Sequence, residues 1–160
     1  MHAQVAPAFW IYQINERLYS KALDGVSPAH MNERAGGAGN SLLFVAGHLL
    51  ASRHVLLALM GSDTPNPWGE FFGRGAPHLA ASAYPPIDEI RVGWQKVTEE
   101  LNRRLEEISE AELATVVPYE FPVDDRTVLG AIAFLAMHES FHIGQFSLIR
   151  KLLGYDTLAG

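Results

Sequence analysis

The sequence predicts an all-α protein that folds as a four-helix bundle. Four stretches of the chain carry apolar residues at the three- and four-residue spacing of an amphipathic helix, and no stretch shows a convincing strand pattern. The segments between them are rich in glycine and proline, which interrupt regular structure. Helices with one apolar face bury those faces against one another, so we expect a single bundle domain over residues 1–160.

The first two helices have recognisable limits. The first is predicted over residues 6–23, and Gly25 stops it because glycine accepts the left-handed conformation that often ends a helix. Asn40 or Ser41 can cap the start of the second helix, whose apolar run lasts to about Met60.

The last two helices carry the clearest apolar stripes. Pro86 suits the first turn of the third helix. Its core stripe consists of Ile87, Ile90, Trp94, Val97, Leu101, Leu105 and Ile108. The fourth helix is predicted from Thr127 to Gly154. One face of it holds Ala131, Phe134, Leu135, His138, His142, Gln145, Ile149 and Leu153.

Composition and charge exclude several classes of function. The formal net charge is -6 and the sequence has no cluster of Lys and Arg, which argues against a nucleic-acid partner. The absence of cysteine excludes thiolate ligands and a cysteine nucleophile. The first ten residues lack a basic region followed by an apolar core, so we expect no signal peptide and a cytoplasmic protein.

The second helix has the length of a membrane span. The run from Ser41 to Met60 would cross a bilayer, but Arg53 would then lie near its middle, where a charge costs about 2.5–3.5 kcal/mol on insertion scales. His48 and His54 add further polar groups to the same run. We therefore interpret it as a buried helix of a soluble bundle, with no membrane partner.

The segment between the second and third helices is rich in aromatic residues. Residues 62–86 read as a loop because of their prolines and glycines, yet they contain Trp68, Phe71, Phe72 and Tyr84. Loops of this length are often lids or binding loops, so these rings are candidates for lining a ligand pocket. The alternative is that they only plug one end of the bundle.

Three histidines are candidates for a metal site. His138 and His142 are one helical turn apart, so both imidazoles can point at one spot. His48 is the other histidine centred in an apolar helical stripe, and bundles build metal sites from side chains on facing helices. Three imidazoles leave at least one coordination position open for water or substrate. We expect the remaining histidines, which have no such setting, to play no part: His2, His30, His54 and His78.

The fourth helix also contains the pattern of a zinc peptidase. The run from His138 to His142 reads H-E-x-x-H, in which the glutamate would be a general base. Downstream of His142 the chain has no histidine or glutamate to be the third ligand, and Asp156 is the last acidic residue. This context argues against a peptidase.

These residues resemble those of the DinB/YfiT-like family. The similarity extends over nearly the whole chain and is most specific at Gly47-His48-Leu49 and at the run from His138 to Gln145, including Gly144-Gln145. It implies a four-helix bundle in up-down-down-up order, a divalent metal ion on His48, His138 and His142, and often a homodimer. Ile143 departs from the family, because many relatives have a basic residue there that could contact a substrate anion.

The resemblance also suggests an activity. Relatives include transferases and isomerases that use low-molecular-weight thiols, and many members have no known activity. We expect a zinc- or nickel-dependent S-transferase whose thiol comes from a cosubstrate, with Trp68, Phe71 and Phe72 shaping the electrophile pocket and Glu139 or Gln145 assisting. The alternatives are a metal-dependent hydrolase that uses metal-bound water, and a non-enzymatic metal- or ligand-binding bundle.

Overall fold

Four long helices make up the protein in a computed structural model, which describes residues 1–37, 39–77 and 79–158. The helices are α1 (Ala6–Leu23), α2 (Leu42–Leu59), α3 (Ile87–Glu107) and α4 (Val128–Leu152). The prediction of an all-α four-helix bundle is confirmed. The Ser41 side chain caps α2 by accepting a hydrogen bond from the backbone N–H of Phe44, as its sequence position predicts.

Short helical turns occupy the connections. They are the α-helical turns Pro28–Met31, Gly69–Phe72 and Glu110–Leu113 and the 3-10 turns Ala35–Gly37 and Ala81–Ala83. Within the described residues there is no strand, only an isolated antiparallel bridge between Val116 and Thr127. The segment predicted as loop over residues 62–86 therefore contains two short turns, which sequence periodicity cannot detect because each is shorter than one apolar repeat.

Helix α4 packs against both α1 and α2. Contacts between α1 and α4 join residues whose numbers rise together, because Tyr12 meets Ile132 and Ala22 meets Arg150. The two helices therefore run in the same direction.

Helix α2 packs against α3 on its other side. Arg53 meets Thr98 and Met60 meets Arg104, so these two helices also run in the same direction. Between α1 and α3 the order reverses, since Gln13 meets Asn102 and the carbonyl of Leu23 meets Arg91. These directions correspond to an up-down-down-up order.

Helix α2 is by length and hydropathy the one described helix that could cross a membrane. In the bundle, 67% of its residues are buried against the other helices, which is consistent with a soluble protein. The apolar surface of α2 is thus used as core rather than as a lipid-facing surface.

A buried ion pair crosses the middle of the bundle. Both nitrogens Nε and Nη2 of Arg53 donate to the Glu139 carboxylate at 2.8 Å, and each of the two residues is less than 4% exposed. The Arg53 guanidinium also donates to Thr98 and lies 3.7 Å over the ring of Trp94. Two charges are stable here because each finds its counter-charge and its hydrogen-bond partners inside the core.

The buried face of α4 differs from the predicted one. Ala131, Leu135 and Ile149 of the predicted stripe are buried, but so are Ile132, Ala136, Glu139, Ile143 and Phe146, which the stripe did not include. The remaining members of the stripe, among them His138 and His142, are half-buried at the edge of this face. The buried face extends to Glu139 because its carboxylate pairs with Arg53 in the core, while His138 at the edge lines a cavity.

Candidate metal centre

Three imidazoles from two helices converge on one point. The Nε2 atom of His138 lies 3.3 Å from Nε2 of His48 and 3.1 Å from Nε2 of His142. All three ligand atoms lie within 4.8 Å of one another. The predicted set His48, His138 and His142 is therefore brought together by the packing of α2 on α4.

Hydrogen bonds at the far side of two rings fix which nitrogen carries the proton. His48 Nδ1 donates to the backbone carbonyl of Phe72 at 2.7 Å, and His142 Nδ1 donates to Oε1 of Gln145 at 2.9 Å. Both Nε2 atoms are therefore lone-pair donors to a metal. This arrangement, in which the other ring nitrogen is held by an outer partner, is typical of metal-ligating histidines.

The donor set fits a divalent metal ion. A zinc–nitrogen bond is about 2.0–2.1 Å, so two nitrogens in tetrahedral positions lie about 3.4 Å apart and two in octahedral positions about 2.9 Å apart. The observed separations of 3.1 and 3.3 Å fall within this range. Neutral imidazoles cannot satisfy three converging nitrogens among themselves, because at most one proton is available between them.

The surroundings keep two of the three imidazoles unprotonated. Burial, together with the neighbouring His142 and His48 as like charges, lowers the pKa of His138 to about 4. Burial also lowers the pKa of His142. Protons therefore compete for the nitrogens of His138 and His142 only at pH values below the pKa of an ordinary imidazole, which favours metal binding near neutral pH.

A glycine on α2 allows the loop to reach His48. A Cβ atom at Gly47 would lie 2.5 Å from the ring of Phe72, so only glycine admits this ring against the helix. The ring is fully buried. With the ring in this position, the backbone carbonyl of Phe72 accepts the hydrogen bond from His48 Nδ1. The turn Gly69–Phe72 thus supplies an outer partner to the metal site through its backbone.

A cavity of about 690 Å³ opens onto two of the ligands, His48 and His138. Its walls come from α2, from residues 66–74, from residues 119–122 and from α4. The side chains that matter for chemistry are Ser52, Asn66, Arg74, Tyr119, Glu120, Phe121 and Phe134. A volume of this size suits a small molecule.

The aromatic residues predicted to line the pocket lie elsewhere. Trp68 lines a second cavity on the other side of the loop, beside His54. Phe72 is buried under the loop, and Phe71 packs beside it with ring centroids 6.0 Å apart. None of these three rings is among the described residues that line the metal cavity, so their role in shaping a pocket stays a prediction.

Tyr119 and Phe121 were missed by the sequence prediction, although they line the metal cavity. Their alternation suggested a short extended piece, and nothing in the linker indicates that it folds back over α4. The bridge between Val116 and Thr127 is what closes this linker against the start of α4.

The two residues predicted to assist the metal have different positions. Gln145 holds His142, which agrees with a supporting role. Glu139 faces away from the ligands and is ion-paired with Arg53 in the core, so it supplies no general base to the cavity. Ile143, where the family resemblance led us to expect a basic residue, is also buried in the core and is not among the described residues that line the metal cavity.

The other histidines lie apart from the triad. His54 is buried, its Nδ1 donates to the carbonyl of Leu50, and burial lowers its pKa. His30 pairs with the hydroxyl of Tyr155. His2 lies near the N-terminus, and His78 lies outside the described residues.

Comparison with known structures identifies the fold. YfiT from Bacillus subtilis, described as a probable metal-dependent hydrolase with an unusual four-helix bundle topology, matches with a TM-score of 0.71. The match covers 98% of this chain and 91% of YfiT at 11% sequence identity, so it shows a shared fold. No curated protein matches the chain.

Comparison with protein-family models shows a relationship at the level of the sequence as well. Residues 11–146 match the model of the DinB superfamily, and this range includes the three converging histidines. The chain therefore belongs to the DinB superfamily.

Proposed function

We propose that the protein is a divalent-metal-dependent enzyme that transfers a low-molecular-weight thiol to a small electrophile. The observation that carries this proposal is the convergence of three Nε2 atoms at the wall of a cavity large enough for a small molecule. Zinc and nickel are the ions we favour, since imidazole ligands suit both. Because the chain has no cysteine, the sulfur comes from the cosubstrate.

A metal ion bound here would lower the pKa of a thiol or of water and so supply a nucleophile near neutral pH. Activation of water usually also needs a positioned general base. Among the described lining residues the carboxylate is that of Glu120, which is exposed and ion-paired with Arg126 at 3.0 Å. Glu139 is held by Arg53. The lack of a free base favours a thiol over water.

The reaction we propose joins the thiol sulfur to a carbon of the electrophile, from which the leaving group departs with its bonding electrons. The thiol proton is released to solvent. His48 and His142 keep their orientation through Phe72 and Gln145, while the apolar cavity walls exclude water from the sulfur. Low-molecular-weight thiols are kept reduced in the cytosol, so we propose a cytoplasmic location.

The proposal predicts that turnover requires both a metal and an added thiol. Purified protein is loaded with zinc or nickel and mixed with 1-chloro-2,4-dinitrobenzene and a small thiol, and S-conjugate formation is followed by absorbance. We expect conjugation to stop after chelation and to return with the metal, while His54→Gln keeps wild-type activity. Equal rates in chelated and loaded protein would rule the proposal out.

Two other outcomes lead to the alternatives. Metal-dependent cleavage of an ester without thiol would identify a hydrolase, the activity suggested for YfiT. A large fall in melting temperature on chelation, with no turnover of any probe, would identify an ion that mainly holds α2 to α4.

We also propose a homodimer formed through the outer face of α4. Met137, Phe141 and Leu148 are each more than half exposed along this face. Gly144 lies between them, and a Cβ there would meet nothing within 4 Å. Glycine inside a helix costs about 1 kcal/mol relative to alanine, and close approach of a second α4 would account for its presence.

Gly144→Leu is therefore expected to convert the dimer to a monomer, because the side chain fills the space that the second copy needs. Light scattering after size-exclusion chromatography measures the change. Gln95→Leu, an exposed substitution on α3, serves as the control and leaves the dimer intact. A wild-type monomer, or a Gly144→Leu dimer, would contradict the proposed interface.

A further inference from the structure

We infer that the metal cavity takes a small molecule with an aromatic body and one anionic group, and that Arg74 binds the anion. This inference deepens the proposed function and rests on it for the reacting atoms, although the anion contact itself can be tested without a metal. Three observations support it: a row of aromatic rings along the cavity wall, an arginine that has no partner among the described residues, and a carboxylate that already has an ion-pair partner.

The wall is a row of rings that leads to the metal ligands. Ring centroids are 6.3 Å apart between Tyr119 and Phe121, 5.0 Å between Phe121 and Phe134, and 6.1 Å between Phe134 and His138. Phe121 and Phe134 are half-buried, while Tyr119 is 56% exposed at the outer end. Ring spacings of this kind suit stacked or edge-on contacts with an aromatic ligand.

The cation is Arg74, which follows the turn Gly69–Phe72. It is the one Lys or Arg among the described residues that line the cavity. The described part of the chain gives its guanidinium no ion pair and no hydrogen bond, and the residue is exposed. A planar guanidinium with free N–H groups binds a carboxylate or phosphate through two parallel hydrogen bonds.

The carboxylate at the same cavity does not cancel this charge. Glu120 is ion-paired with Arg126 at 3.0 Å, so its charge is already matched. The chain as a whole carries a formal net charge of -6, so a positive group at the cavity is a local exception to a surface that repels anions. The cavity therefore selects an anion at one position only.

Two probes of the same shape separate charge from aromatic contact. Phenylacetate and phenylacetamide differ in charge but hardly in size, and titration calorimetry gives the Kd of each. For the wild type we expect phenylacetate to bind about 10-fold tighter, the lower end for a hydrogen bond to a charged group at an exposed site. Arg74→Gln should make the two Kd values equal, and Arg74→Lys should restore part of the difference.

Two further variants test whether the preference comes from the overall charge or from a bound metal ion. Arg17→Gln, which removes an exposed cation from α1, should keep the wild-type preference. His48→Ala shows whether the carboxylate instead binds a metal ion, and we expect the preference to persist there because Arg74 is intact.

The outcomes separate this inference from the proposed function. Equal Kd values in the wild type, or an undiminished preference in Arg74→Gln, would overturn the anion site. A preference that disappears in His48→Ala would also overturn it, because the anion would then be bound by the ion. A preference that follows Arg74 in a protein that retains no metal would leave the anion site intact while the proposed function fails.

Discussion

Replacing His48 with alanine is expected to strip the protein of its metal ion and of metal-dependent turnover. Loss of even an outer partner of a ligand typically weakens metal binding about 10–100-fold, and loss of a ligand should cost more. Elemental analysis of the purified variant measures the effect, with His138→Ala and His142→Ala expected to behave alike because all three Nε2 atoms converge.

The control for this series is His54→Gln on the same helix. His54 is buried and hydrogen-bonded to Leu50, so its replacement disturbs α2 to a similar degree without touching the ligands. It should keep the wild-type metal content. A His48→Ala protein that is folded by circular dichroism and still holds the wild-type amount of metal would exclude the three-histidine site.

Removing one partner of the buried ion pair should cause the largest loss of stability in the chain. Glu139→Gln leaves the Arg53 guanidinium in the core without its counter-charge, which typically costs about 3–5 kcal/mol. In a chain of this size about 2–4 °C of melting temperature corresponds to each kcal/mol, so thermal unfolding should shift down by about 6–20 °C.

Two comparisons test whether the unpaired charge causes that loss. Arg53→Met with Glu139→Leu removes both charges and keeps the volume, so it should recover most or all of the lost stability. Arg103→Gln breaks an exposed pair with Glu100 on α3 and should leave unfolding unchanged, since solvent screens that pair. If Glu139→Gln melts like the wild type, the buried pair does not stabilise the core.

Much of the fold can be predicted from the sequence because its helices are long and are bounded by glycine and proline. The apolar stripe of α3 and the stop at Gly25 leave little room for a different fold, and their helices end close to the predicted residues. The convergence of the three histidines was also predictable, because His138 and His142 are one turn apart and His48 has a similar apolar setting.

The positions that α4 buries beyond the predicted stripe were harder to predict, although Arg53 and Glu139 indicate them. Arg53 and Glu139 are opposite charges within otherwise apolar helices, and two such residues must find partners when buried. Pairing them would have turned Glu139 into the core and away from any role as a base. Apolar periodicity failed here because α2 and α4 are apolar on most of their surface, so no single face stands out.

The cavity walls could not be predicted from local patterns. Phe72 acts through its backbone carbonyl, which every residue type possesses, so its identity carries no signal of that contact. Tyr119 and Phe121 reach the cavity only because the linker folds back over α4. Both features depend on tertiary contacts between the loops and the helices, which local sequence patterns do not encode.

The close packing of the Phe72 ring against Gly47 restricts which substitutions related sequences can accept at these two positions. A larger residue at position 47 would push the ring away and carry the carbonyl off His48, so such a change must be accompanied by a smaller side chain at position 72. Neither position would bind the ion itself. The two should nonetheless covary among related sequences, and their coupled drift would trace the evolutionary history of this coordination site.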